Sequence, residues 1–250
     1  MLHCLQKSCH LNTHKSKFAG AIDCTHCDSR SKSIFCHLRH TELEELNEMK
    51  SGMTFRKGQI IFGEGAHPLG LYCVNNGKIK LSHRGEDGKE QIVRLSKEGD
   101  VLGYRALLTN ERYNATAVAL DDTDICFIPR DTFFNVLKNN PDLSFEIIKM
   151  LSTELRKAED RITDLAQKPV RERMAEGLLF LKETYGFEAD GSTINIVLSR
   201  EDIANLVGTA TETAIRLLSE FKNDKIVEFV GKKIRILDNE RLIRTAHIYD

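Results

Sequence analysis

The chain has 250 residues, 41% hydrophobic and 29% charged, with a formal net charge of −1. That leaves room for two modest domains in an ordinary globular composition. No run of ~18 apolar residues is present and the start is polar and His-rich, so the expectation is a cytoplasmic chain with no membrane span, membrane partner or secretory leader. Near-neutral charge also excludes nucleic-acid binding by bulk electrostatics, and any such role must rest on local placement of charge.

Residues 1–40 form a Cys/His-rich arm. In a reducing compartment, clustered thiols point to metal or redox chemistry rather than disulfides. The stretch "CTHCDSRSKSIFC" holds Cys24, Cys27 and Cys36. On the residues alone the alternatives stay open: zinc held by these three with His26, His37 or His40, a thiol redox switch, or no metal. Cys4 and Cys9, near His3, His10 and His14, are read as incidental or loosely metal-binding. "TELEELNEM" (Thr41–Met49) predicts a short helix, with Thr41 as cap and Glu44 completing a capping box.

From Thr54 to about Arg130 short apolar runs alternate with glycines, the pattern of a closed β-roll or jelly roll. "LSHRGEDGKEQIVRL" predicts a hairpin turning in Gly85–Gly88. Cys73 reads as a strand cysteine packing as a small hydrophobe.

Asn140 and Pro141 then open a helix that Pro169 ends, roughly 42 Å long at ~1.5 Å per residue. Ile148, Leu151, Leu155, Ala158, Ile162 and Leu165 fall at 3-4-3-4-3 spacing, a heptad seam. The plain alternative is a helix packed on its own domain. The narrow stripe, flanked by charge, instead predicts a two-chain coiled coil.

The last segment reads as an amphipathic helix, a strand "STINIVL", two short helices and a hairpin. Ser199 and Asp202 form a capping box, and a turn at Gly208–Thr209 separates the two short helices. This is the pattern of a winged helix-turn-helix. On its second helix Ala214, Leu217, Leu218 and Phe221 make the buried stripe. Opposite lie Thr211, Glu212, Ile215, Arg216 and Ser219. Arg216 can donate twice to guanine and Glu212 can accept from cytosine, so together they read a G·C step, while Ile215 suits a thymine methyl. The plain alternative is a solvated Glu212–Arg216 ion pair. Ser199, Arg200, Thr209, Thr213, Lys232 and Lys233 are candidate phosphate contacts.

With "GLYCVNNGKIKL", "GDVLGYRALL", "ICFIP" and "LSREDIANLVGTATETAIRLLSEF", the sequence resembles the Crp/Fnr family of bacterial transcription regulators from Thr41 onward. The resemblance implies an α+β chain in four parts. Residues 1–40 are a sensory arm, 41–140 a cyclic-nucleotide-binding-like β-roll (jelly roll), 141–168 a dimerisation helix and 169–250 a winged helix-turn-helix. It implies a homodimer on double-stranded, near-palindromic promoter DNA that recruits RNA polymerase. Cyclic-AMP-binding members carry a glutamate where Tyr104 stands and an arginine where Asn114 or Ala115 stands. Arg105 and Arg112 lie nearby but off the matching positions, so a cyclic nucleotide is not expected. The oxygen-responsive branch resembles the chain in its arm thiols and in a strand cysteine at Cys126. That implies a 4Fe–4S cluster on Cys24, Cys27, Cys36 and Cys126. Eight residues separate Cys27 from Cys36, a longer gap than is usual in that branch. Ala158 stands at a seam position where that branch places an acid. The rival from another class is a metal or redox enzyme on a β-roll, but no G-x-S-x-G, H-E-x-x-H or P-loop occurs.

Overall fold

A computed structural model describes residues 22–247. Cys4, Cys9, His3, His10 and His14 lie outside them. The arm makes two short 3-10 turns, Cys24–His26 and Asp28–Lys32, and leads into helix α1 (His40–Met49). α1 begins one residue before the predicted cap. Glu42, buried, accepts the Arg39 backbone N–H at 2.8 Å and the Asn140 amide at 2.9 Å, so it fastens the helix start to the body of the protein. Glu44 meets His40 at 3.3 Å instead of closing a box with Thr41.

Ten strands follow in chain order with the remaining helices. They are β1 (Ser51–Phe55), β2 (Ile60–Phe62), β3 (Gly70–Asn76), β4 (Ile79–Arg84), β5 (Glu90–Ser96), β6 (Val101–Leu102), α2 (Tyr104–Thr109), β7 (Thr116–Ala119), β8 (Thr123–Pro129), α3 (Arg130–Asn139), α4 (Pro141–Gln167), α5 (Val170–Tyr185), α6 (Arg200–Val207), α7 (Thr211–Asn223), β9 (Val227–Val230), β10 (Lys233–Ile236) and α8 (Asn239–Thr245). Two four-stranded antiparallel sheets, β1-β8-β3-β6 and β2-β7-β4-β5, face each other as a β-roll. The β4–β5 hairpin turns through Gly85–Lys89, where the sequence places it.

Alternation along the strands sorts two apolar clusters. Val74, Ile125, Phe62, Tyr113 and Ala117 fill the roll, with Phe62 stacked on Tyr113 at 4.1 Å between ring centroids. Leu71 and Ile128 face outward and are covered by Phe35 and Leu38 of the arm, Leu43 and Leu46 of α1, Phe133 of α3, and Leu143 and Ile147 of α4. The arm and the long helix therefore share one apolar cluster.

Asn140 caps α4 by accepting the Leu143 N–H at 2.8 Å, with Pro141 at the first turn. Beyond it, Met174, Leu178, Ile203, Val207, Leu217, Phe221 and Ile234 build the C-terminal core, which Ile92, Leu95 and Leu120 of the roll join. The predicted strand "STINIVL" does not form. Only isolated bridges occur, Phe187 with Ile194 and Thr193 with Arg235, because the Ile196 N–H turns back to the Ile194 carbonyl at 2.8 Å and breaks the extension. Among the described residues no helix is long and apolar enough to cross a membrane.

Candidate functional site

Helices α6 and α7 meet at a turn built by local chemistry. Ser199 Oγ accepts the Asp202 N–H at 2.9 Å and Asp202 Oδ2 accepts the Ser199 N–H at 3.1 Å, which satisfies the donors that open α6. Gly208 ends it at φ +73°, a left-handed conformation suited to glycine, and an added Cβ there would lie 2.7 Å from Leu165 Cδ2. On α7, Ala214, Leu217, Leu218 and Phe221 are buried as the spacing predicts. Glu212, Ile215, Arg216 and Ser219 are exposed, and Thr209, Thr211 and Thr213 are partly so. Two arginines differ from expectation. Arg216 pairs with Glu220 at 2.5 Å rather than with Glu212, which has no ion-pair partner among the described residues. Arg171 holds Glu220 from the other side at 2.9 Å and Asp224 at 2.8 Å. The i, i+4 spacing to Glu220 was present in the sequence beside the i−4 spacing to Glu212. Arg200 lies over the Phe229 ring of β9 at 4.2 Å, where burial lowers its pKa, so it packs the helix onto the wing. At the wing, Lys232 is exposed and Lys233 is paired with Glu188.

The module of α6 and α7 is tied to the roll. Lys80 Nζ of β4 bonds Asp202 Oδ1 at 2.5 Å, and Gln91 Nε2 donates to the Asn205 carbonyl at 2.6 Å. Arg161 of α4 donates to the Leu206 carbonyl. Burial alone would raise the Asp202 pKa, but the bonds from Lys80 and Ser199 outweigh it and hold the carboxyl below its usual value.

Tyr104, where cyclic-AMP binders carry glutamate, is buried and its hydroxyl donates to Glu154 of α4. Glu154 also takes Arg94 at 2.6 Å and Arg105 at 2.5 Å, while Arg112 donates to the Gly65 carbonyl at 2.7 Å. A carboxylate from the long helix therefore already engages Arg94 and Arg105.

The seam positions of α4 turn to solvent except Leu151, which packs on the apolar cluster that covers the roll. Ile148, Leu155, Ile162 and Leu165 are exposed, Ile162 to 67%. Ala158 is exposed and Leu151 partly so.

Cys24, Cys27, Cys73 and Cys126 lie at the outer face of the roll. Cys126 of β8 stands opposite Cys73 of β3 and Gly52 of β1. Cys24 receives a hydrogen bond from Lys50 Nζ at 2.8 Å, and Lys50 is itself buried. Cys27 Sγ lies 3.1 Å from Ser29 Oγ and 3.5 Å from Asn75 Oδ1. Burial pushes the Cys126 thiol up to about 11 against the opposing pull of Lys50, with Cys24 and Cys27 adding to the rise. Burial pushes Cys73 well up too, helped by Cys126, Cys24 and Cys27. The Cys36 carbonyl accepts from Arg30 at 3.3 Å. His26 lies 2.9 Å from the Thr25 hydroxyl and His40 pairs with Glu44. Among the described residues no group of three or more His, Cys, Asp or Glu side chains is arranged as a metal-ion shell. Sequence reasoning missed Lys50 and the placement of Cys73 beside Cys126, because neither carries a local signal.

Residues 53–140 match the family model described as a cyclic nucleotide-binding domain, and residues 172–245 the one described as a Crp-like helix-turn-helix domain. The chain is 32% identical over 230 residues to the fumarate and nitrate reduction regulatory protein of Yersinia pestis, covering 90% of this chain and 91% of that one. It is 30% identical to the protein of the same name from Vibrio cholerae, covering 91% and 92%. Among solved structures it is similar to a CRP/FNR family transcriptional regulator from Thermus thermophilus, with 26% identity, a TM-score of 0.67, and coverage of 79% of this chain and 98% of that one.

Proposed function

The chain belongs to the Crp/Fnr family of transcription regulators, and from that premise we propose that it works as a homodimer on promoter DNA under the control of an oxygen-labile iron–sulfur cluster. The observation that carries the DNA-reading part is the exposed face of α7, where Glu212, Ile215 and Arg216 stand clear of a fully buried apolar stripe. Arg216 donates twice to guanine and Glu212 accepts from cytosine; Lys232 and the Ser199 and Thr209 hydroxyls set the register on phosphate. Glu220 holds the Arg216 guanidinium before DNA arrives and must release it on contact. The seam Ile148, Leu151, Leu155, Ala158, Ile162 and Leu165, exposed at every position but Leu151, supports a second copy packed along α4. Two copies place two α7 helices on half-sites about one DNA turn apart. Recruitment of RNA polymerase follows from the family.

The sensing part rests on chemistry and placement. A 4Fe–4S cluster takes four thiolates. Cys24 and Cys27 of the arm and Cys126 of β8 come to one face, beside the buried Lys50 ammonium that offsets thiolate charge. The resemblance assigns the fourth ligand to Cys36. When bound, the cluster supplies a group that oxygen dismantles. The arm residues Phe35 and Leu38 share an apolar cluster with Leu143 and Ile147 of α4, so a change in the arm bears directly on the helix that presents the seam.

A gel shift with promoter DNA tests the first part. A dimeric protein with no preference over bulk DNA at moderate salt overturns it. Anaerobic purification tests the second. A brown protein that bleaches in air and carries iron and sulfide is expected, and a colourless protein with zinc or no metal overturns the oxygen reading while leaving DNA binding intact.

A further inference from the structure

We infer that the carbonyl end of α6 is the junction at which the roll and α4 set the direction of α7, with Gln91, Arg161 and Arg173 as its positioning residues. The inference rests on the reading of DNA by two paired chains and names what fixes the separation of their α7 helices. A helix leaves its last carbonyls without partners in its own backbone. In α6 the Ala204 carbonyl takes both the Gly208 and the Thr209 N–H, at 2.9 and 3.0 Å. Each carbonyl from Asn205 to Gly208 is then held by a side chain from another element. Gln91 Nε2 of β5 donates to the Asn205 carbonyl at 2.6 Å, and Arg161 of α4 donates to that of Leu206. Arg173 of α5 donates through Nε to the Val207 carbonyl at 3.2 Å and through Nη2 to that of Gly208 at 3.1 Å. Its remaining nitrogen, Nη1, donates at 2.7 Å to the carbonyl of Lys168, in the link between α4 and α5.

The roll, α4 and α5 therefore grip one helix end together. The grip is directional. A guanidinium at a helix C-terminus meets the negative end of the helix dipole, and its planar fork of donors fixes an angle as well as a distance. Arg173 is buried. Burial lowers the Arg161 pKa, Asp164 opposes that fall, Arg173 adds to it and Glu176 opposes it, so Arg161 too works away from bulk water. The turn that follows has no slack. A Cβ on Gly208 would lie 2.7 Å from Leu165 Cδ2 of α4 and 3.4 Å from Gln91 Oε1. Helix α7 opens at Thr211, just past that turn, and shares a core with α6 through Val207 and Leu217, so a tilt of α6 carries α7 with it. Arg161 lies beside the seam residue Ile162 on α4. Pairing of two seams then places two α6 ends, and through them two α7 helices, at one separation and one angle.

The test uses the full chain purified without oxygen and an operator that the wild type selects from a randomised DNA pool. Fluorescence anisotropy measures binding to that operator, to the same half-sites with a base pair added to or taken from the spacer, and to a half-site alone. The variants are Arg161→Met and Gln91→Met, which remove the donor and keep a long side chain, and Arg161→Lys, which keeps a donor. The inference expects the preference for the selected spacer to fall about ten-fold in each Met variant, with half-site affinity within about two-fold of wild type, and Arg161→Lys to recover most of the preference. Equal weakening on every duplex marks a merely structural role and overturns the inference, as does an unchanged preference. A wild type indifferent to the spacer overturns it and leaves the reading of half-sites standing. A wild type that selects no site overturns both. Circular dichroism and sedimentation velocity check fold and dimer in each variant. Should Arg161→Met fail to fold, Gln91→Met decides on the same duplexes, a ten-fold loss of spacer preference supporting the inference and an unchanged preference overturning it.

Discussion

Arg216, the base-reading residue proposed above, is already engaged within its own helix. Its guanidinium rests on Glu220, which Arg171 holds in turn, so the side chain is aimed outward along α7 at little entropic cost. Both ends of the Arg216–Glu220 contact are substantially exposed, and such a pair contributes little to stability. Arg216→Ala should therefore leave the thermal midpoint nearly unchanged. It should weaken specific DNA binding by about 1–3 kcal/mol and relax preference at one base pair. Lys232→Ala should weaken binding evenly across sequences and reduce the salt slope by about one. Fluorescence anisotropy on matched and mismatched sites over a salt series checks both. The spacing of carboxylates around Arg216 was legible in sequence, but the choice between Glu212 and Glu220 was not. It turns on Arg171, which only the packing of α5 against α7 brings to Glu220.

At the scale of the element, α4 serves two masters. One face is anchored: Leu143 and Ile147 are buried with the arm and α1, Glu154 takes Arg94 and Arg105, and Arg161 reaches the Leu206 carbonyl. The other face carries the exposed seam. Each aliphatic side chain it buries contributes about 1.5–3 kcal/mol, so a handful along the helix suffices for a stable pair of chains. Ile162 touches no core of its own chain. Ile162→Glu should thus leave the fold and its melting intact while shifting the protein from dimer to monomer, by sedimentation velocity, and should abolish tight binding to a two-half-site operator. Ala158 carries no charge to oppose its mate, so the same measurement on the wild type should find dimers with and without metal. The heptad was readable because it is a property of one helix. The failed strand at 192–198 was not, since its isoleucines are buried by a turn that bends it rather than by a sheet that extends it.

Across the whole molecule, an ion pair helps to tie the roll to the C-terminal helices. Lys80 and Asp202 are each 15% exposed and meet at 2.5 Å between β4 and the start of α6. Asp202 also caps that helix, so it links roll, cap and reading module. Asp202→Asn should cost on the order of 1–3 kcal/mol. Because its folded pKa lies below the ordinary 3.8, the stability it contributes is present above that value and is lost as pH falls through the lower folded one. Wild-type protein should lose more stability than Asp202→Asn between pH 5 and pH 2; equal losses in thermal melts at each pH would remove the link. The sequence by itself determined the order of elements, the capping box, the buried stripe of α7, the exposed seam and the gathering of thiols in the arm. These are periodic or short-range features, decided within a few residues. Tertiary structure alone decided that Cys73 faces Cys126, that Lys50 lies among the thiols, and that Glu154 closes on Arg94 and Arg105. Each joins residues far apart in the chain, where register follows from burying a whole strand face, and a slip of one residue would turn Cys73 into the roll and away from the arm.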